Sequence, residues 1–384
     1  MSPKNIKVNN LVASKNKPEN QNIDHISKMF IILQTFLGLN HIRVLNNVHT
    51  VVLKCSFTHC VCFHTTLWYF IFKCRPNIYI SSINIVSVIG FLSCSILGIM
   101  FSNKLCEFFE NINTFNLIAG YKSKIDESSI KNARLCVIFI IFQCVMNGVF
   151  IYLKYLSESE PYLVIIYLVF TIELFFYAHL LSLLLLRIQF LKRILSPYFL
   201  DDKINKFERK TRGHMKTYEK RELGDIVLFY VIIIKAFDNL NAAIKHQFLC
   251  ILLVTFFTCV IRLDLTMMQV YAGDRNLWAL AFQAVNLFIK LILPFLSPCF
   301  YASRINKEIN YIRDQLITYL RKLDKNSRRP AKTLLKLTRT RSLSFSVFRM
   351  LQVDMLLPLK LSAFIVNYLI ILLQFQKVTG LQRY

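Results

Sequence analysis

The chain of 384 residues is 55% apolar, and it contains 33 Phe but only 9 Gly and 9 Pro. One soluble core could not bury this much apolar surface, so the composition excludes an ordinary water-soluble domain and indicates a membrane protein. A net charge of +25 would suggest nucleic acid in a soluble protein, but here we assign it to cytoplasmic loops and membrane lipids and expect no nucleic-acid partner.

The first 54 residues are predicted to lie in the cytosol. Residues 1–25 are rich in Asn and Lys, so we expect a disordered tail, and they lack the apolar core of a cleavable signal peptide. The apolar run at 26–39 is too short to cross a bilayer. It is predicted to be an interfacial or docked helix, with a linker to residue 54.

Seven long apolar runs follow, and each predicts a transmembrane helix because roughly 20 apolar residues cross about 30 Å of hydrocarbon. The fold class is therefore an all-α membrane protein. The approximate bounds of the runs are 55–72, 78–101, 135–153, 162–186, 247–271, 277–298 and 348–375. Spans one to four thus occupy 55–186, spans five and six occupy 247–298, and the last span lies within 348–376.

Lys and Arg are distributed unevenly between these spans. The segments 1–54, 102–134, 187–246 and 299–347 carry 37 cations, whereas the alternate loops and the tail carry 6. Cytoplasmic loops retain Lys and Arg during insertion, so we predict a cytoplasmic N-terminus and an extracellular tail at 377–384. This orientation is the reverse of a G-protein-coupled receptor.

A cluster of potential metal ligands lies in the first span at His59, Cys60, Cys62 and His64. Residues two apart on a helix point about 200° apart, so Cys60 and Cys62 could not share one metal ion. We therefore favour core packing and expect no metal or other cofactor. A catalytic set and a phosphate loop are also missing from the sequence, which does not predict an enzyme.

Both long inner loops contain amphipathic helical patterns. Within 187–246 the pattern predicts one broad apolar face, which packs against the chain's own inner loops or forms an oligomer contact; we favour the oligomer contact. The face comprises Leu223, Ile226, Val227, Tyr230, Ile233, Ile234, Phe237 and Leu240. Within 299–347 we predict a helical extension of span six carrying Ile305, Ile309, Ile312 and Leu316, followed by a basic linker from 321 to 341.

Charged residues inside the spans are candidates for a ligand pocket, because such residues are costly in hydrocarbon. Glu173 lies in span four, and Arg262 and Asp264 lie toward the outer end of span five, where Tyr271 and Trp278 could join them. The alternative is pairing between helices, or snorkelling of Arg262 to the interface.

The last span differs chemically from the others. Asp354, Pro358 and Lys360 occupy its first half, so we predict a cytoplasmic half-helix that meets a membrane half-helix near Pro358. In the second half, Asn367, Ile371 and Gln374 fall on one stripe. The stripe either bonds neighbouring helices or faces a pore.

The segment Asn367 to Phe375 resembles the signature that closes insect gustatory receptors: a Thr-Tyr pair, five apolar residues, then Gln-Phe. Tyr368, Gln374 and Phe375 match it, whereas Asn367 stands where the family usually has Thr. Residues 345–361 resemble the family's approach to this helix, although Arg349 replaces a common Gly.

This resemblance implies a ligand-gated cation channel that detects tastants in the plasma membrane of sensory neurons. Four subunits, identical or mixed, would each contribute the last helix to one pore. By motif position, Ile371 would form an apolar gate and Gln374 a polar ring just outside it, while Tyr368 and Phe375 would pack nearby. Asn367 lies on the same stripe and is also expected to face the pore. An odorant-receptor subunit has the same architecture and is the alternative; a G-protein-coupled receptor or polytopic transporter fits less well.

Overall fold

A computed structural model of the chain describes residues 25–39, 58–66, 68–69, 78–121, 127–152, 160–199, 223–271, 277–320, 323, 325–341, 343–347 and 351–381. This part of the chain is almost entirely helical, which confirms the predicted fold class. In chain order the helices are α1 His25–Phe36, α2 58–66, α3 Ile78–Ala119, α4 Glu127–Tyr152, α5 Glu160–Phe199, α6 Leu223–Tyr271, α7 Leu277–Leu287, α8 Leu296–Tyr319, α9 Lys325–Thr340 and α10 Leu357–Leu381.

Four helical stretches in the described residues are long and apolar enough to cross a membrane: Ser82–Ala119, Val164–Ser196, Leu223–Met268 and Gln283–Tyr319. They cover most of the predicted spans two, four, five and six. Two shorter apolar stretches, Ala133–Val145 and Leu357–Ile371, correspond to spans three and seven. Of the predicted first span, only 58–66 and 68–69 lie within the described residues, and both are helical.

Three helices are much longer than a bilayer is thick. α3, α5 and α6 contain 42, 40 and 49 residues, so each is about 60 to 75 Å long at 1.5 Å per residue. Hydrocarbon is only about 30 Å thick. Each helix therefore continues well beyond the membrane. For α6 this agrees with the helical pattern predicted in the inner loop before span five.

The core is built around α5, which packs against α3, α4, α6 and α8. Every residue from 171 to 185 is buried. A helix that is apolar on all sides needs such a central position. α3 and α6 pack closely beside it, because Gly90 brings the two backbones together next to Val254.

The apolar face predicted in the inner loop at 223–240 is helical, and it is buried within the single chain. Ile226, Tyr230 and Leu240 are fully buried, and Phe229 beside them packs edge-on against Phe115 of α3 at 5.8 Å between ring centroids. The structure thus assigns this face to packing within the subunit, and our preference for an oligomer contact on this face is corrected. The predicted extension of span six is confirmed, since Ile305, Ile309, Ile312 and Leu316 are buried along α8.

The segment predicted as a basic linker at 321–341 is largely the helix α9 instead. Its Ala331, Leu334 and Leu335 recur at helical spacing and are buried against neighbouring helices. The many Lys and Arg residues favoured a linker in the sequence analysis, although the spacing of the apolar residues was sufficient to predict a helix.

A two-stranded antiparallel hairpin occupies part of the region where we predicted a half-helix before Pro358. Its strands, β1 Ser346–Val347 and β2 Leu351–Gln352, pair Ser346 with Gln352 and Val347 with Leu351. α10 begins only at Leu357, so Pro358 lies in the first turn. Proline is tolerated there because the first N–H groups of a helix have no intrahelical partner.

Candidate pore helix and ligand site

α10 is attached to the rest of the chain along one narrow face. Leu357, Leu361 and Ile365 are buried, Leu369 is partly buried, and these positions recur at every fourth residue. Packing occurs mainly against α6. Most other described side chains of α10 are exposed in the single chain. This helix therefore presents most of its circumference to something other than its own subunit.

The predicted stripe lies on the exposed side of α10. Asn367, Ile371 and Gln374 are all exposed, and Ile371 retains 49% of its accessible surface. At about 100° per residue, the stripe lies roughly opposite the row that contains Leu361 and Ile365. The three positions are thus grouped as the sequence predicts and are not used for packing within the subunit.

The remaining residues of the signature lie on the same helix. Tyr368 is 41% exposed and lies nearer the packed row than the stripe does. The backbone of Phe375 belongs to α10, but its side chain lies outside the described residues.

The hairpin fixes the start of α10. The N–H of Val353 donates to the carbonyl of Phe345 at 2.9 Å, which closes the hairpin. Asp354 then accepts a hydrogen bond from the N–H of Leu356 at 3.0 Å, an interaction that ends an extended segment and starts a turn. Lys360 lies 4.0 Å from the Asp354 carboxylate. Two of the three residues that marked this span as unusual therefore position its first turn.

Glu173, a predicted ligand-pocket residue, belongs to a buried hydrogen-bond network. Its carboxylate accepts hydrogen bonds from the amide of Gln34 and, at 2.7 Å, from the hydroxyl of Tyr177. The Tyr177 hydroxyl is also 3.0 Å from the side-chain oxygen of Gln247, whose amide nitrogen donates to the carbonyl of Cys94 at 2.9 Å. The network joins α1, α5, α6 and α3. Glu173 is fully buried in it.

The other predicted ligand-pocket residues have different environments. Arg262 is buried, and its guanidinium lies 5.9 Å from the centre of the Tyr167 ring. Asp264 is partly exposed, whereas Trp278 on α7 is 85% exposed. Tyr271 ends α6, and its side chain lies outside the described residues.

A cavity of about 740 Å³ lies between the residues of the first predicted span and α3. Its wall is almost entirely apolar, and its lining includes Cys60, His64, Trp68, Tyr69, Ser95 and Ile96. His64 stacks on Phe91 at 4.5 Å between ring centroids, and its Nε2 lies 3.1 Å from the hydroxyl of Ser95. The size and apolar lining are typical of a small-molecule site.

Sequence reasoning missed most of these contacts. His64 was interpreted only as a core residue, and Gln34, Tyr177 and Gln247 carried no motif that distinguishes them from other polar residues. A signal did exist for Gln34 and Gln247, because an amide inside an apolar helical pattern needs a partner. The identity of that partner depends on how helices distant in sequence pack. Cys60 is buried and Cys62 exposed, as expected from their spacing.

Comparison with known proteins places this arrangement in a family. A family model described as "7tm Chemosensory receptor" matches residues 34–379. The chain belongs to the 7tm chemosensory receptor family.

Two solved structures of the insect olfactory receptor OR5 from Machilis hrabei resemble this receptor in fold. The structure in complex with eugenol has a TM-score of 0.60 at 13% identity, and the structure without it has a TM-score of 0.55 at 12% identity. Each match covers 91% of this receptor and 97% of OR5. No curated protein sequence matches. The seven-helix membrane fold predicted for this receptor is thereby confirmed.

Proposed function

We propose that this receptor is a subunit of a ligand-gated cation channel of the gustatory type, acting in the plasma membrane of sensory neurons. Four subunits, identical or mixed, would each contribute α10 to one central pore. The observation that carries the proposal is the exposed stripe of Asn367, Ile371 and Gln374, on the side of α10 away from its packed row.

Physical chemistry favours a pore over lipid for this stripe. An amide exposed to hydrocarbon has no hydrogen-bond partner, so Asn367 and Gln374 facing lipid would cost several kcal/mol. Neighbouring α10 helices around a water-filled path would provide both partners and water. The exposed apolar residues elsewhere on α10, such as Phe364 and Val366, could then face lipid or neighbouring subunits.

The stripe provides the parts that a gated pore needs. Four Ile371 side chains would form an apolar ring that closes by excluding water, and rings of amides at Gln374 and Asn367 could replace part of an ion's hydration shell. A ligand would open the gate if it bound the open state more tightly than the closed state by a few kcal/mol.

The proposed orientation places the N-terminus in the cytosol and the C-terminus outside. The cation distribution supports it. Quenching of a C-terminal fluorescent tag by an impermeant quencher on intact cells tests it, because only an extracellular tag would be quenched.

Two regions are candidates for the ligand. OR5 was solved in complex with eugenol, a small molecule, and by analogy the apolar cavity beside Trp68 could bind an apolar ligand. The outer part of span five offers Arg262 and Asp264, with Tyr271 and Trp278 near the next loop; Glu173 is the weakest candidate because it is enclosed. Asp264→Asn should shift a ligand dose-response curve while leaving the resting current unchanged, and an unshifted curve removes this residue from the site.

The gate is tested by whole-cell recording of Ile371→Ala. We expect an increased resting current without ligand, because a ring of smaller side chains leaves a wider opening that water enters more easily. Val366→Ala is the matched control: Val366 is also exposed on α10 but lies about 140° around the helix from Ile371. Equal resting currents in the two variants, at matched surface expression, would contradict the pore assignment.

The gustatory assignment rests on the Tyr368-to-Phe375 ending, and the odorant type is the alternative. Calcium imaging of cells that express this chain alone, screened with sugars, bitter compounds and volatile odorants, separates the two. Responses confined to volatile compounds would favour the odorant type.

A further inference from the structure

α9 is the most strongly cationic helix in the described part of the chain. Its 16 residues contain six Lys or Arg and no Asp or Glu. Its apolar and cationic residues are on different sides. Ala331, Leu334, Leu335 and Thr338 are buried, and the helix packs against α6 and α8.

The cations form one continuous row on the exposed side of the helix. At about 100° and 1.5 Å per residue, the row covers about 100° of the helix circumference and is about 16 Å long. All five of its side chains are exposed: Arg328, Arg329, Lys332, Lys336 and Arg339. We call these five residues the cationic row.

Within the described residues, no carboxylate lies within ion-pair distance of the cationic row. The nearby ion pair joins Arg341, just beyond α9, to Asp238 of α6 at 3.9 Å. Cations four residues apart, such as Arg328 and Lys332 or Lys332 and Lys336, repel each other on a helix. A bound anion with several charges would relieve this repulsion along the whole row.

The packing of α9 excludes several classes of binding partner for the cationic row. A protein that wraps an amphipathic helix, or a membrane that the helix enters, would need its apolar face, and that face is already buried. A second copy of the chain is poorly suited, because the segments 1–54, 102–134, 187–246 and 299–347 together carry 37 cations but only 16 acidic residues. A copy would therefore bring the same surplus of positive charge.

We propose that the cationic row binds an anion with several clustered phosphate groups. Arg binds phosphate through paired hydrogen bonds, and Lys adds mobile point charges, so a row that contains both suits phosphates spaced along its length. The same chemistry is presented by the headgroup of a polyphosphorylated inositol lipid and by a soluble inositol polyphosphate.

A bound anion would act close to the candidate pore helix. α9 is followed by the short hairpin that fixes the start of α10, and Arg341 ties the end of α9 to α6. This consequence rests on the proposed channel function, whereas the binding itself does not. A current that changes on anion binding would extend the proposal to regulation of the channel.

Binding is tested on the full-length chain in phosphatidylcholine nanodiscs, with inositol hexakisphosphate as the probe and calorimetry as the readout. The test variant is Arg328→Gln, Lys332→Gln, Lys336→Gln. The matched control is Lys235→Gln, Arg304→Gln, Lys307→Gln, which removes three exposed cations from α6 and α8. We expect the test variant to bind about tenfold more weakly or worse, and the control to bind like the wild type. Size-exclusion profiles of both variants establish that each is folded.

A second arm identifies the source of the phosphates. The wild-type chain is placed in nanodiscs with phosphatidylinositol bisphosphate, and inositol hexakisphosphate is titrated again. A loss of measurable binding shows that the lipid headgroup occupies the row, whereas unchanged binding assigns it to soluble anions. The proposal is overturned if the wild type does not bind the probe, or if the test variant loses no more affinity than the control variant.

Discussion

The side-chain amide of Gln143 on α4 donates a hydrogen bond to the main-chain carbonyl of Lys290 at 3.2 Å. Pro294, four residues further on, has no N–H and cannot donate to that carbonyl in the usual helical pattern. The chain changes here from α-helix to a π turn at Phe288–Ile292 and a 3₁₀ turn at Leu293–Phe295. Gln143 also donates to the hydroxyl of Thr171 at 3.2 Å, so one amide joins α4, α5 and the irregular turn.

We predict that Gln143→Leu lowers stability by about 1 to 2 kcal/mol, because it leaves the Lys290 carbonyl without this donor inside the bundle. The measurement is the unfolding temperature of the detergent-purified protein. Gln352→Leu, at an exposed position of the hairpin, is the control and should change it little. Equal unfolding temperatures for wild type and Gln143→Leu would show that the turn does not need the amide.

A second prediction concerns the close approach of α3 and α6 at Gly90. A Cβ atom at this position would clash with the side chain of Val254, and the thiol of Cys250 already donates to the Gly90 carbonyl at 3.5 Å. Val is stiff and cannot rotate away freely. Gly90→Ala should therefore destabilise the protein by about 1 to 3 kcal/mol.

The control for this prediction is Gly224→Ala. An added Cβ there meets no atom within 4 Å, so the substitution should be neutral or slightly stabilising in a helix. The double variant Gly90→Ala, Val254→Ala should recover part of the lost stability, because it makes room for the new methyl group. If the stability losses of the two single substitutions simply add in the double variant, a clash with Val254 is not the cause of the destabilisation.

A third prediction concerns the docking of α1. Gln34 donates to the buried carboxylate of Glu173, which also accepts from the hydroxyl of Tyr177. Removing the amide with Gln34→Leu should weaken the attachment of α1, because a buried carboxylate that loses a donor is poorly solvated. Faster hydrogen exchange across residues 25–39 is the expected result.

Thr35→Val serves as the control, since the Thr35 hydroxyl bonds only to the carbonyl of Ile31 in its own helix among the contacts described. Its exchange in residues 25–39 should stay close to that of the wild type. If Gln34→Leu leaves exchange in this segment unchanged, the network does not anchor α1.

The sequence could predict the helices and their buried faces, but not these contacts between distant segments. Apolar periodicity and length identified the helices, and the spacing of Ile305, Ile309, Ile312 and Leu316 identified a buried face, because such patterns are local. The stripe on α10 could also be predicted from the sequence, because residues three and four apart share a helix face whatever surrounds the helix.

The remainder depended on contacts between distant segments. Whether the face at 223–240 meets its own subunit or another is decided by the position of α3, which one helical pattern does not encode. The same holds for Glu173, whose charge inside a predicted span suggested a functional site. Two of its hydrogen-bond partners lie 139 and 4 residues away in sequence. The predicted helix break at Pro358 is wrong for a different reason. Proline either breaks a helix or occupies its first turn, and the sequence alone did not distinguish these two roles.

The last prediction tests the ring that Gln374 would form in the proposed pore. Gln374→Glu adds a carboxylate at an exposed position of α10, so four subunits would add four negative charges around one ion path. Acidic rings attract divalent cations strongly. We therefore expect a higher permeability of calcium relative to sodium, measured as a shift of the reversal potential toward the calcium equilibrium potential. Gln352→Glu adds the same charge at an exposed position of the hairpin and should leave the reversal potential near the wild-type value. If both variants match the wild type while carrying normal current, Gln374 does not line the path of the ions.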